Sequence, residues 1–226
     1  MSRTSSRRED YKSRRRRQDK TQRLLPFIIV AVVAVIALAI LIIPSLAKPT
    51  TDVSQARGSS LGNPNAPVKV EEFGDYQCPA CASFFVNLEP QIVKDYIDTG
   101  KIYFSFTPFS FVGQESIDAA QAAYCARDQN KFWEYHDTLY NNQRGENQGN
   151  FSIPNLEQFA QNLNLNMNQF KTCLEGKKYY DQVQSDYNYG VGKNVNSTPS
   201  FIVDGKLVSQ DALVQTIDAA LKAKGK

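Results

Sequence analysis

From Leu24 to Ala47 the chain runs 24 residues without a charged side chain, and this run limits its possible architectures more than any other stretch. Roughly 20 apolar residues suffice for a helix to cross a bilayer, and here only Pro26 and Pro44, near the ends, interrupt the pattern. Before the run, residues 1–23 carry ten Lys/Arg against three acids, a local charge of +7 with no apolar face, the mark of a disordered tail. The whole chain carries +3, so residues 24–226 sum to −4, and a nucleic-acid partner loses its main support. Arginines before the run and a lone Lys48 after it place a basic tail (1–23) in the cytoplasm, a transmembrane anchor at 24–47 and everything beyond Lys48 outside the membrane. Two other readings stay open. Ser45-Leu46-Ala47 offers the small residues of a cleaved signal peptide, although the run exceeds the usual core of roughly 7–15 residues. Ser6-Arg7-Arg8 partly fits a twin-arginine signal, but Asp10 and Tyr11 stand where apolar residues are required.

Residues 48–60 are rich in Ser and Thr and poor in large apolar side chains, so they read as a flexible spacer, with the folded domain over 61–226. That length is ample for one core and short for two. Val68 to Phe73 alternates and is expected as a strand leading through Gly74-Asp75-Tyr76-Gln77 into Cys78. From Pro79 to about Ile97 the residues Phe84, Phe85, Leu88, Ile92, Val93 and Ile97 recur at helical spacing, predicting one helix with Pro79 at its first position and Cys78 at its N-cap. Lys101 to Thr107 is expected as a second strand. Residues 115 to about 192 predict several helices, broken by loops at Asn141–Asn150 and Asn162–Asn166. Two short strands then flank the Asp204-Gly205 turn, and Asp211 to Ala223 closes the chain as an amphipathic helix.

All four cysteines follow the apolar run, and an even count on the outer side of a membrane suggests disulfide chemistry. The Cys78-Pro79-Ala80-Cys81 spacing also suits half a zinc site, but the remaining ligands, Cys125, Cys173 and the single His136, form no second close pair. The order of strand, C-x-x-C at a helix start, hairpin and helix favours thiol redox chemistry. A thiolate at a helix N-terminus faces unpaired amides and the positive end of the dipole, so its pKa falls. Cys78 is therefore expected as the exposed nucleophile and Cys81, one turn inside, as the resolving thiol. An inert bridge is disfavoured because so small a loop hardly constrains the unfolded chain. Glu72 shares a strand face with Val68 and Val70, which makes it a candidate for a shifted pKa, with a solvated edge-strand glutamate as the alternative.

Gly62-Asn63-Pro64-Asn65-Ala66-Pro67, Glu72-Phe73, Cys78-Pro79-Ala80-Cys81, Phe132-Trp133-Glu134-Tyr135-His136 and Thr198-Pro199 together resemble bacterial DsbA-like thiol:disulfide oxidoreductases over roughly Leu61 to Ala223. The likeness is greatest to membrane-tethered, extracytoplasmic forms with a second cysteine pair. The resemblance implies an α/β, thioredoxin-like fold with an inserted α-helical domain at about 115–192, here preceded by one N-terminal transmembrane helix. It implies an enzyme that oxidises cysteine pairs in exported proteins and is reoxidised by a quinone-linked membrane partner of DsbB type or like vitamin K epoxide reductase. No cofactor and no metal is implied. Thr198-Pro199 matches the family's cis-proline loop, which lies against the active pair, and Glu72 matches a buried acid that helps move the proton during exchange. Two positions depart from the pattern. Ala80 stands where the strongest oxidants carry histidine, which leaves the oxidising strength open, and Ser197 replaces a glycine often found before Thr-Pro.

Cys125 and Cys173 fall in two helical segments of the insertion and are expected to form a structural disulfide, with a redox relay to the active pair as the sharper alternative. His136 lies at i±4 from Phe132 and Tyr140, reads as a packed helix residue and is assigned no role. A reductase or isomerase would use the same residues at a different redox poise. A non-catalytic binding protein would be expected to lose an active cysteine or the Thr198-Pro199 loop, and both are intact.

Overall fold

The computed structural model describes residues 58–226; the basic tail, the apolar run and most of the spacer lie outside the described residues. Among the described residues no helix is long and apolar enough to cross a membrane.

Five strands form one mixed sheet: β1 (Ser60–Leu61), β2 (Val68–Gly74), β3 (Ile102–Pro108), β4 (Ser200–Val203) and β5 (Lys206–Ser209), in the order β1-β3-β2-β4-β5. β2 is central. It runs parallel to β3 from Val68↔Ile102 to Gly74↔Pro108 and antiparallel to β4 from Val70↔Val203 to Phe73↔Ser200. A parallel pair needs a long crossover, supplied by the helical segment that starts at Pro79. β4 and β5 form the hairpin expected around Asp204-Gly205, where both residues take positive φ, 46° and 88°, as a tight two-residue turn demands.

The helix expected from Pro79 to Ile97 is three pieces. α1 (Pro79–Asn87) ends at Leu88, whose φ of −120° breaks the run; α2 (Glu89–Ile92) restarts it; and Val93–Ile97 widens into a π turn closed by Asp98 N–H on Val93 O. Pro90 supplies the reason, since a proline inside a helix removes an amide and clashes with the preceding turn. The short β1 was not legible either. Ser60, placed in the spacer by composition, pairs with Ser105, and Phe106 N–H bonds to Ser59 O, so the ordered edge begins a little before Leu61.

Between β3 and β4 lie α3 (Gln114–Arg127), α4 (Phe132–Asn142), α5 (Ile153–Asn162), α6 (Met167–Glu175) and α7 (Tyr180–Gly192), and α8 (Gln210–Ala223) closes the chain. The period-two alternation of β3 buries Ile102, Phe104 and Phe106 and leaves Tyr103, Ser105 and Thr107 half-buried on the other face. Phe104 and Phe106 meet Trp133 and Phe132 of α4, while Phe84 of α1 packs on Phe201 of β4 and Leu213 and Ile217 of α8 are buried in the same core. One continuous core therefore joins sheet, α1, α8 and the helical insertion. A smaller cluster of Phe73, Phe109, Val195 and Ile202, with Tyr187 of α7 against it, covers the opposite face. There Gly190 lets α7 approach closely, because an added Cβ would stand 2.6 Å from Phe109 and 3.1 Å from Phe73.

Within the insertion, Cys125 of α3 is joined to Cys173 of α6 across a sequence separation of 48. In the chain-entropy account a loop of that size stabilises by about 4 kcal/mol. The double variant Cys125→Ser/Cys173→Ser is expected to lose a stability of that order in urea unfolding; a loss below about 1 kcal/mol would show that this crosslink scarcely restrains the unfolded chain.

Candidate active site

β2 delivers the chain to a tight turn. Cys78 N–H bonds to Asp75 O at 3.0 Å, and Gln77 N–H bonds to Asp75 Oδ1 at 2.8 Å, so an aspartate-anchored turn sets the start of α1. Cys78 is the N-cap of α1 in extended conformation, Pro79 follows at the first helical position, and Cys78 O accepts the first intrahelical bond from Ala82 N–H. Cys81 lies one turn in, on the buried face with Phe84 and Phe85.

The two thiols are free, and Cys78, expected to be exposed, is itself only 8 % exposed against 0 % for Cys81, so the pair differs mainly in hydrogen-bond partners and depth. The Cys78 pKa is lowered from 9.0 to about 6, first by a hydrogen bond from the Cys81 thiol, then, against an opposing desolvation, by the Thr198 side chain and the Cys81 and Ala80 amides. In its thiol form Cys78 donates to Thr198 O at 3.4 Å. Burial pushes the Cys81 thiol well up, and the charges of Cys78 and Glu72 add to that. A low-pKa thiol over a buried high-pKa one is the asymmetry that nucleophilic exchange needs: the first attacks or is attacked, and the second keeps its proton until it acts.

Two further segments close over the pair. The Thr198–Pro199 peptide is cis and leads into β4, which sets Thr198 beside Cys78. Glu72, on the central strand, is 1 % exposed, which removes the solvated-strand alternative. Desolvation pushes its carboxyl well up, and the charges of Glu89 and Cys78 push in the same direction.

The insertion reaches the same turn. Asp75 is fully buried, and its Oδ2 accepts from the amides of Phe111 and Val112 at 2.9 and 3.1 Å while its Oδ1 accepts from Ser116 Oγ at 2.6 Å. Gln77 Nε2 donates to Ser116 Oγ, its Oε1 accepts from Asn147 N–H at 2.6 Å, and its carbonyl accepts from Gln143 Nε2 at 2.7 Å. Gly113 permits this closure, since a Cβ there would lie 2.4 Å from Asn147 Oδ1.

Residues 54–223 match the thioredoxin family. Over 169 residues, 72% of this chain and 78% of the relative, the sequence is 34% identical to the probable disulfide bond formation protein D of Bacillus anthracis. Over 171 residues, 73% of this chain and 77% of the relative, it is 33% identical to disulfide bond formation protein D of Bacillus subtilis. The chain is a DsbA-like thiol:disulfide oxidoreductase of the thioredoxin family. The crystal structure of oxidised BdbD from Bacillus subtilis superposes on this oxidoreductase with a TM-score of 0.68 at 30% identity, covering 78% of this chain and 98% of that one. That of Wolbachia pipientis alpha-DsbA1 does so with a TM-score of 0.63 at 25% identity, covering 73% and 91%.

Of the residues singled out in the sequence, the oxidoreductase thus brings Cys78, Cys81, Thr198, Pro199 and Glu72 to one place. Cys125 and Cys173 lie apart, bonded to each other within the helical insertion. Among the described residues no three His, Cys, Asp or Glu side chains gather into a metal site. Asp75, Gln77, Ser116, Gln143 and Asn147 were missed by sequence reasoning. A signal existed for Asp75 alone, an aspartate immediately after a strand and able to bond its own backbone two residues on; the others meet it only through the fold.

Alkylation of the reduced oxidoreductase tests the thiol asymmetry. A pKa depressed to about 6 stabilises the reduced protein above the ordinary thiol range and is lost as pH falls through 6, so the Cys78 rate should stay near its plateau at pH 7 and inflect near pH 6. Cys81→Ala removes the thiol donor that contributes most, and should move the inflection upward. An inflection near 8.5 in the parent protein would refute the assignment.

Proposed function

We propose that this oxidoreductase makes disulfides in cysteine-containing exported proteins, on the outer side of a membrane to which residues 24–47 anchor it with the basic tail inside. The observation that carries the reading is the unequal pair: a Cys78 thiolate held near pKa 6 at the N-terminus of α1, over a buried Cys81. Whatever stabilises that thiolate stabilises the reduced protein, and a stabilised reduced form makes its disulfide the stronger oxidant. The names of the Bacillus relatives, which refer to disulfide bond formation, agree with this direction.

In this reading the oxidised protein carries a Cys78–Cys81 disulfide. A substrate thiolate attacks Cys78 Sγ, the electron pair of the broken S–S bond passes to Cys81 Sγ, and Glu72 gives that sulfur a proton. The second substrate thiol, losing its proton, attacks the substrate sulfur of the mixed disulfide and expels Cys78 as a thiolate. The substrate leaves oxidised, and the two electrons stay on Cys78 and Cys81 until a quinone-linked membrane reoxidase, of DsbB type or like vitamin K epoxide reductase, removes them. The cis Thr198–Pro199 edge beside Cys78 is where the substrate backbone would lie.

The reduction potential of Cys78–Cys81 in a glutathione buffer tests the direction. It should lie above the roughly −270 mV of thioredoxin and, with Ala80 in place of histidine, need not reach the −120 mV or so of DsbA. In cells, Cys81→Ser should accumulate mixed disulfides at Cys78 with exported proteins, and Cys78→Ser should not. A potential at or below that of thioredoxin would turn the reading to a reductase or isomerase. Carbonate extraction with external protease tests the anchor, and release of a domain beginning near Lys48 into the soluble fraction would show a cleaved signal peptide instead.

A further inference from the structure

The residue just before the nucleophile is a glutamine shut away from solvent. Gln77 is 0 % exposed, and each of its four polar atoms has a partner. Its N–H donates to Asp75 Oδ1 at 2.8 Å and its Nε2 to Ser116 Oγ at 2.9 Å, within the network that anchors the active turn. The other two atoms turn to one loop of the insertion. Gln77 Oε1 accepts from Asn147 N–H at 2.6 Å, and the Gln77 carbonyl accepts from Gln143 Nε2 at 2.7 Å.

That loop is fastened on both sides. Gln143 caps the C-terminus of α4 in extended conformation, and its own N–H returns to Tyr140 O at 3.3 Å. Asn147 takes a φ of 54°, a left-handed conformation that asparagine adopts more readily than most residues. Farther along, the two carboxylate oxygens of Glu115 on α3 accept from Gly149 N–H at 2.9 Å and Phe151 N–H at 2.8 Å. The donor that meets the Gln77 carbonyl is therefore held by two helices of the insertion.

The carbonyl in question belongs to the peptide that joins Gln77 to Cys78. The N–H of the same peptide is bonded to Asp75 O at 3.0 Å. A planar peptide held at both its oxygen and its nitrogen has little freedom to rotate, and its orientation sets the φ of Cys78, −71°, hence the direction in which Sγ leaves the backbone. The Cys78 thiolate draws on the Cys81 thiol and on the amides of Cys81 and Ala80, which act only while distance and alignment are kept.

We propose that Gln143 is a positioning residue for the Cys78 nucleophile: from the helical insertion it locks the peptide leading into Cys78 and so keeps the sulfur aligned with the amides at the start of α1. The proposal rests on the exchange reading of Cys78–Cys81 given above. Gln143 is neutral, so replacing it by another neutral side chain leaves unchanged the groups that face Cys78: the Cys81 thiol of α1, Glu72 of β2 and the Thr198 side chain before β4. Any change at the sulfur then reports geometry and not charge.

The test is the pH profile of Cys78 alkylation in the reduced full-length protein. Gln143→Met keeps the length of the side chain and deletes the donor. It should raise the inflection, so that the rate at pH 6, taken relative to the plateau at pH 9, falls roughly threefold. The equilibrium with a glutathione buffer at pH 7 should move by a similar factor, roughly threefold, toward the disulfide, because the reduced form loses its stabilised thiolate. A defect of packing or access would lower the plateau and leave the inflection in place. Asn147→Gly is the control: it suits the φ of that residue, keeps the amide on Gln77 Oε1 and gives up side-chain contacts such as that of Oδ1 with Gln77 Nε2 at 3.3 Å. Its inflection should match that of the unmodified protein. An unmoved inflection in Gln143→Met, or an equal shift in Asn147→Gly, would overturn the proposal. In the unmodified protein the Gln143 side-chain amide should resist hydrogen exchange, and free exchange there would overturn it even if Gln143→Met fails to fold. Failure of the unmodified protein to oxidise a reduced two-cysteine peptide would instead overturn the exchange reading, with the alkylation profile still deciding what Gln143 does.

Discussion

A carboxylate taken out of water without a basic partner has to be satisfied by neutral donors, and the way Asp75 meets that demand holds the site together. Four groups converge on it: the Gln77 amide and the Ser116 hydroxyl on one oxygen, and the Phe111 and Val112 amides on the other. Hydrogen bonds to charged groups contribute roughly 1.5–3 kcal/mol each, against a desolvation cost of several kcal/mol per ion. Losing any one donor would narrow that balance. The arrangement therefore ties the turn before Cys78, the segment after β3 and the start of α3 into one unit, and the position of the active cysteine depends on the helical insertion as much as on the sheet.

Around that anchor, the two cysteines of one helical turn are given opposite properties by position alone. Cys78 sits where α1 begins, with backbone amides and the Cys81 thiol directed at it, so its negative charge is favoured. Cys81 is turned into the core, where charge is penalised, and Glu72 beneath it meets the same penalty. The low dielectric that stabilises a thiolate close to its donors makes a proton costly to remove a few ångströms deeper. Burial thus keeps the protons on Cys81 and Tyr76 at neutral pH and pushes the Glu72 carboxyl well up from its ordinary range.

Much of the fold could be read in advance, because its signals are local. The alternation of β2 and β3, Pro79 at the first helical position, the Asp204-Gly205 turn and the apolar face of α8 each depend on residues within a few positions of one another. The break in the helix expected from Pro79 to Ile97 is local too, since Pro90 divides it after Leu88. β1 is different, since Ser60 and Leu61 become a strand only because β3 offers an unpaired edge.

The sequence by itself determined a strand leading into a C-x-x-C pair at a helix start, a later Thr-Pro loop and hairpin, and a helical stretch between them, because periodicity and proline chemistry act over short distances. Only the tertiary structure decided that Cys125 meets Cys173, that Ser116 and Asn147 close on the turn at Asp75–Gln77, and that His136, Glu89 and Glu72 share one buried region. Those partners stand between 17 and 70 residues apart in the chain. Residue spacing carries no record of such meetings, since they arise from how helices pack against a sheet, and the energies at stake are those of buried charge, which exist only once water has been excluded.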